Sequence, residues 1–343
     1  MTLPCHPSTE SPRTDRNSAC VGLALLLTTL VVACAGPQSA LDPAGRDARA
    51  ISWLTWWMTI GAFVIWVGVI ALAIHAARRR QPIDSARATK LFIVGGGVVF
   101  PIVVLTVLLI YGLAMIPKVL ALPPQSDVGI TVSGEQWWWR VTYQFADGRA
   151  FVTANEIRLP VNRRTTIQLV SPDVIHSFWV PSLAGKMDMI PGRLTRLALE
   201  PTRTGVFRGA CAEYCGASHA LMSFYAIVLE QNEYDAWVLQ QQQPATIPED
   251  AQASEGRTAF GANGCAACHT VRGTAARGVI GPDLTHVGSR YSLAAGILPN
   301  ETDDFARWIA RTHEIKPGVH MPPFGMLPAE QIRALAAYLE SLR

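Results

Sequence analysis

Cys211-Ala-Glu213-Tyr-Cys215-Gly-Ala-Ser-His219-Ala-Leu-Met222 decides the reading, because it crowds two thiols, an imidazole and a thioether into a single short loop. His176, upstream in Ser-Pro-Asp-Val-Ile-His-Ser-Phe-Trp, can reach the same point from the end of a neighbouring strand. Soft and borderline ligands of this kind favour copper. One cysteine with two histidines and a methionine makes a mononuclear blue-copper centre, and a second thiolate lets both sulfurs bridge two ions. Tetrahedral zinc on Cys211, Cys215, His219 and His176 uses the same side chains without redox chemistry. A plain disulfide between the two cysteines is the third reading that the residues alone leave open.

Around this loop, residues 122–232 hold short β-rich runs such as Gly129-Ile-Thr-Val-Ser, Trp139-Arg-Val-Thr-Tyr-Gln-Phe and Thr165-Thr-Ile-Gln-Leu-Val. Gly, Pro, Asn and Asp turns separate them, which predicts an all-β sandwich or barrel. Upstream, residues 53–77 and 91–116 are free of Asp, Glu, Lys and Arg and are long enough to cross a hydrocarbon core of about 30 Å. Trp53, Trp56, Trp57 and Tyr111 suit the membrane interface. The loop between the two spans carries Arg78, Arg79, Arg80, Arg87 and Lys90, so it is expected in the cytoplasm and the rest of the chain on the opposite side. Residues 34–121 are thus expected to form a transmembrane hairpin in the lipid bilayer.

The first 33 residues have the charged start, with Arg13 and Arg16, and the short apolar middle of a secretory signal peptide. They end in Val31-Val32-Ala33-Cys34, which resembles the bacterial lipoprotein cleavage box. On that reading Cys5 and Cys20 are lost with the signal. Half of the 343 residues are hydrophobic and 16% charged, with a net charge of +3, a balance that suits a membrane-attached chain. No basic block marks a nucleic-acid partner.

Beyond the β-rich region, residues 233–250 include Leu239-Gln-Gln-Gln-Gln-Pro-Ala-Thr-Ile-Pro and are expected to form a flexible tether. Then comes Cys265-Ala-Ala-Cys268-His269, the attachment motif for c-type haem, in which both thiols bond the vinyl groups and the histidine reaches the iron. Residues 251–343 carry nine Lys or Arg against eight Asp or Glu. That near-neutrality fits a carrier kept close by its tether rather than by charge attraction. His286 and His313 are expected at the surface.

The copper loop Cys-x-Glu-x-Cys-Gly-x-x-His-x-x-Met resembles the dinuclear copper A loop of cytochrome c oxidase subunit II. The resemblance covers residues 36–230, the hairpin and a cupredoxin-like domain. It implies that Cys211 and Cys215 bridge two coppers, that His176, His219 and Met222 complete the ligand sphere, and that Glu213 offers its backbone carbonyl. The Glu213 carboxylate is further implied to help hold magnesium at the boundary with subunit I. Gly134-Glu-Gln-Trp137-Trp138-Trp139 is similar to the family's aromatic stretch, whose first tryptophan lies on the path by which electrons arrive. Gly185-Lys-Met-Asp188-Met-Ile-Pro-Gly-Arg193 matches another family signature. The chain departs from the family at Leu91-Phe-Ile-Val-Gly-Gly-Gly, where many members place a glutamate for proton uptake; Asp84 precedes it.

Residues 251–343 resemble an all-α class I cytochrome c, through Cys265, Cys268, His269, Gly281-Pro282 and Lys316-Pro-Gly-Val-His-Met321-Pro-Pro-Phe. The resemblance implies Met321 as distal haem ligand, with Met326 and His320 as competitors, and Pro282 as the residue whose carbonyl orients His269. Together the resemblances imply subunit II of a proton-translocating cytochrome c oxidase in a bacterial inner membrane. Its copper and haem domains face the periplasm, and it works with subunits I and III and with cytochrome c or a membrane-bound donor. A copper-A nitric oxide reductase subunit and a stand-alone tethered carrier are the rival readings.

Overall fold

The computed structural model describes residues 36–78, 85–123, 128–246 and 248–343. The signal segment with Cys5, Cys20 and Cys34, and Arg79, Arg80 and Asp84 of the loop, lie outside the described residues.

Two helices, α1 (Arg46–Arg78) and α2 (Ala86–Val119), are long and apolar enough to cross a membrane, and the rest of the chain buries no part of their apolar windows. Their apolar side chains therefore need lipid or partner subunits around them. The α2 ladder widens over Leu91–Val99, where the Phe100 N–H bonds the Gly95 carbonyl. Pro101 follows at once, and having no N–H it cannot close the regular bond one turn back.

Among the described residues, ten strands form two five-stranded sheets. One has the order β3-β2-β1-β5-β8 and the other β4-β10-β9-β6-β7. The first comprises β1 (Val128–Glu135), β2 (Trp138–Phe145), β3 (Ala150–Ala154), β5 (Thr165–Val170) and β8 (Thr195–Leu199). The second comprises β4 (Glu156–Pro160), β6 (His176–Trp179), β7 (Met187–Met189), β9 (Gly205–Cys211) and β10 (Ser223–Leu229). Alternate residues point inward: Ile130 and Val132 from β1, Trp139, Val141 and Tyr143 from β2, Ile167 and Leu169 from β5 are all buried. Each such side chain contributes roughly 1.5–3 kcal/mol by leaving water. Trp139 packs edge-on to Phe178 and leans on Phe224, fixing the end of the sandwich nearest the copper loop.

Arg164 joins hairpin to sandwich. Its guanidinium pairs with Asp47 at 3.0 Å and Glu200 at 3.3 Å, and donates to the carbonyls of Val119, the last residue of α2, and Ala121 just past it.

The expected tether is instead largely a helix. Residues Gln231–Gln242 form α3, opened by a capping box between Glu230 and Glu233, and Tyr234, Trp237, Val238 and Gln241 are buried. Those four recur at helical spacing and lay one face on the sandwich, where Trp237 meets Tyr143 and Phe151.

The C-terminal domain is helical: α4 (Ala251–Ala262), α5 (Thr302–Ala310) and α6 (Ala329–Ser341). Helices α4 and α6 cross at Gly256, where a β-carbon would stand 1.8 Å from the Ala334 carbonyl oxygen. Close crossing lets Phe260 pack against Tyr338. His286 is buried here, contrary to its expected surface position, and bonds the Gln243 carbonyl at 3.1 Å; His313 is exposed, as expected.

Candidate metal and haem centres

The copper loop is a β-hairpin turn between two paired strands. Strand β9 ends at Cys211, β10 begins at Ser223, and the Cys211 N–H closes the loop on the Met222 carbonyl at 2.9 Å. Neighbouring β6 pairs Phe178 with Cys211, so His176, two residues earlier on β6, lies beside the loop. His176 and both cysteines are buried, with their donor atoms within 4.8 Å of one another.

Two overlapping donor groups result. Cys211 Sγ lies 3.8 Å from His176 Nδ1, 3.8 Å from Cys215 Sγ and 3.1 Å from the Glu213 carbonyl oxygen. Cys215 Sγ lies 3.5 Å from His219 Nδ1 and 3.8 Å from Met222 Sδ. Donors on bonds of about 2.0–2.3 Å around a tetrahedral ion stand roughly 3.3–3.8 Å apart. Six donors exceed what one tetrahedral zinc uses, and a thioether suits copper. The residues therefore would suit a copper-A-type centre, and the two sulfurs are separate thiols rather than a disulfide.

Three of the donors have displaced proton affinities in the metal-free loop. The hydrogen bond shared with Cys215 lowers the Cys211 thiol despite burial, and the same contact pushes Cys215 up. The pair thus shares one proton, which metal binding releases. Burial opposes protonation of His176, but its hydrogen bonds to Cys211 and Asp173 outweigh that and raise it.

Behind the ligands stands Asp173, to which no sequence motif assigns a role. Asp173 Oδ1 accepts from His176 Nε2 at 2.8 Å, leaving Nδ1 toward the sulfurs, and is itself held by the Gln136 N–H at 2.7 Å. Its position three residues before His176 was the available signal. A β-carbon at Gly134 would stand 2.9 Å from His176 Cδ2, so only glycine leaves the ring room there. Trp137 is 7% exposed, and its indole N–H donates to the Cys215 carbonyl at 2.9 Å beside the Gln136 amide at 2.6 Å. Glu213 turns its half-exposed carboxylate to Lys186, at 3.7 Å, which also bonds Asp188 at 2.7 Å.

In the C-terminal domain, Cys265, Cys268 and His269 stand on one tight turn in which the His269 N–H bonds the Cys265 carbonyl. His269 Nδ1 donates to the Pro282 carbonyl at 2.8 Å, which frees Nε2 for an iron atom. A β-carbon at Gly281 would lie 2.6 Å from His269 Cε1, so the chain leaves the imidazole its place. Burial lowers His269 against the pull of the Pro282 carbonyl, keeping the imidazole neutral as a metal ligand requires. These residues fit a covalent haem. Met321 is half-buried, with its carbonyl accepting from Thr312 Oγ1 at 3.0 Å. Met326 is 77% exposed and His320 is exposed.

The two centres meet. Ser218 Oγ of the copper loop donates to the Pro317 carbonyl at 2.6 Å, and a β-carbon at Gly318 would stand 2.9 Å from the Trp137 ring. Val319 packs on the sandwich core that includes Trp137 and both copper-loop cysteines. On the other side, Arg140, paired with Glu135 and stacked on Trp138, donates to the Val279 carbonyl at 3.0 Å, close before the Gly281-Pro282 pair.

Comparison with known proteins agrees with both domains. "Cytochrome C oxidase subunit II, periplasmic domain" matches residues 144–231, and "Cytochrome c" matches residues 253–343. Cytochrome c oxidase subunit 2 of Alkalihalophilus pseudofirmus is 35% identical over 336 residues, covering 92% of this chain and 95% of that one. Cytochrome c oxidase subunit 2 of Bacillus sp. (strain PS3) is 34% identical over 230 residues, covering 64% of this chain and 63% of that one. The crystal structure of the periplasmic domain of subunit II of the Bradyrhizobium japonicum cytochrome oxidase is 34% identical. It aligns over 35% of this chain and 96% of its own, with a TM-score of 0.31.

Proposed function

Because the chain belongs to the cytochrome c oxidase subunit II family and carries a fused cytochrome c domain, we propose that it receives electrons at the cytochrome domain and passes them through the copper loop to subunit I. There four electrons and four protons reduce one dioxygen to two waters, with further protons moved across a bacterial inner membrane. Copper A and haem c, when bound, supply reversible one-electron chemistry at matched sites. Cys211, Cys215, His176, His219, Met222 and the Glu213 carbonyl hold the copper pair, and Cys265, Cys268, His269 and Met321 hold the haem. The burial of Met321 relative to Met326 favours it as the distal ligand. The chain's own work is to keep both ligand sets rigid and dry, so that little reorganises when charge moves.

One observation carries this reading: the backbone of residues 317–319 lies against Ser218 and Trp137, with Trp137 bonded to the Cys215 carbonyl. It supports Trp137 as the side chain between the two centres. His219 and the exposed Tyr214 ring beside it, 5.7 Å away, face outward and suit the contact with subunit I. The Glu213 carboxylate, paired with Lys186 in the metal-free chain, is the group that would join magnesium there, with the remaining oxygens from the partner and water. Subunit III and a cytochrome c or membrane-bound donor complete the assembly.

The test is purification from native membrane with metal analysis, optical spectra and gas consumption. Two coppers and one haem c per copy of this chain, with oxygen uptake by the co-purifying large subunit, are the expected result. Zinc or no metal at Cys211 and Cys215 overturns the copper reading. Nitric oxide consumption in place of oxygen uptake overturns dioxygen as the substrate, and a chain that purifies alone overturns the oxidase assembly.

A further inference from the structure

Lys316 is an unusual resident of the junction between the two redox domains. It is 2% exposed, and its ammonium donates to the Ala294 carbonyl at 3.0 Å. Burial pushes it down to about 7, against the pull of Cys215. A long cationic side chain is rarely withdrawn from water unless it holds something in return.

What it holds is a strained turn. Ala294, Ala295 and Gly296 have φ values of 53°, 65° and 80°, a left-handed run in which two residues carry β-carbons. That turn presents the Ala295 carbonyl to the Ser223 N–H at 3.1 Å, and Ser223 directly follows Met222. Gly296 rests on Ser223, where a β-carbon would stand 3.0 Å from the Ser223 Cβ. Immediately after Lys316, Pro317 accepts from Ser218, and Gly318 meets Trp137 and Ala217. The cytochrome domain therefore grips the copper loop with two separate segments, 294–296 at its Met222 end and 317–319 at its Cys215 end. The Lys316 side chain bonds one of those segments to the other.

We propose that Lys316 is a positioning residue for electron transfer within the chain, its bond to Ala294 fixing both cytochrome segments against the copper loop. This rests on the haem-to-copper order proposed above. Lys316 touches neither metal; it sets the separation and packing across which the electron passes.

The experiment uses the intact oxidase with Lys316→Met, which keeps an unbranched apolar stem one atom shorter and removes the donor. The first readout is hydrogen exchange at the Ser223 amide, which a role confined to the cytochrome fold leaves unmoved. Exchange is expected to rise about tenfold as the 294–296 turn relaxes. The second is the rate at which copper is reduced after one electron is placed photochemically on the cytochrome domain. That rate is expected to fall at least tenfold, as small misplacements at a reacting junction typically do. Haem and copper spectra are expected to stay unchanged. Lys316→Gln, which retains a shorter N–H donor, is expected to fall between wild type and Lys316→Met in both readouts and serves equally if the methionine variant does not load haem.

Either readout remaining within about twofold of wild type overturns the proposal, since tenfold corresponds to only about one lost hydrogen bond. A wild-type chain in which the reduced cytochrome domain never reduces copper overturns the functional order itself. That failure shows in the wild-type control, whereas failure of the Lys316 assignment leaves wild-type transfer intact.

Discussion

His286 shows how a single buried imidazole couples folding to pH. Burial pushes it below its ordinary 6.5, although hydrogen bonds to backbone carbonyls oppose the shift. The unfolded chain therefore takes up a proton at a pH where the folded chain still refuses it. Stability is fully present above about 6.5 and is lost as pH falls from there toward the lower folded value. His286→Gln keeps an N–H for the Gln243 carbonyl and removes the titration. Thermal melts of the cytochrome domain between about pH 7 and pH 5 are expected to slope less steeply in the variant than in wild type; equal slopes refute the assignment. In the sequence His286 reads as a surface residue because its partner is forty-three positions away, just past the end of α3. The candidate donors of the copper loop are legible for the opposite reason: five of the six sit within one contiguous stretch. Asp173, Gly134 and Lys316 act through contacts that only the folded chain creates, so their residue types alone gave nothing away.

At the level of elements, strands were readable from alternation, and both membrane helices from their length and lack of charge. Helix α3 was not. Its run of glutamines, with Pro244 and Pro248 just after it, has the composition of a linker, and its buried stripe of Tyr234, Trp237, Val238 and Gln241 is too short to outweigh them. The capping box at Glu230 and Glu233 was the overlooked cue. The α4–α6 crossing makes a sharper claim. At Gly256 a β-carbon would collide with the Ala334 carbonyl at 1.8 Å, and backbone cannot swing aside as a side chain does. Gly256→Ala is expected to cost the cytochrome domain about 2–3 kcal/mol by overpacking. For a domain of this size that lowers the melting temperature by roughly 8 °C or more. The haem absorbance melt reads it, and the copper-domain transition is expected to stay in place. A melting temperature unchanged within about 2 °C means the helices separate without penalty, which the packing does not allow.

For the whole molecule the question is whether the cytochrome domain swings on a tether or stays docked. Near-neutral charge on residues 251–343 removes long-range attraction as the means of return. Docking instead relies on short-range bonds spread around the junction. Arg140 reaches the Val279 carbonyl on one flank, Ser218 and Ser223 hold the copper-loop side, and Arg272 ties the Gln241 carbonyl of α3 at 2.6 Å. On another flank Glu156, buried and paired with Arg158, accepts from the Tyr291 N–H at 3.0 Å. Because these contacts are well separated, losing one should shift the docked population without releasing the domain. Arg140→Met leaves the Glu135 carboxylate without its partner and the Val279 carbonyl without its donor. It is expected to weaken docking by about 1–2 kcal/mol, a fall of roughly 5–30-fold in the ratio of docked to undocked chain. Limited proteolysis within residues 244–250 of the intact oxidase reads that ratio, since a chain cleaved only when undocked is cut faster in proportion. Haem ligation, followed optically, is expected to hold throughout. A freely swinging carrier predicts the same cleavage rate for both proteins, because Arg140 then has no docked state to stabilise.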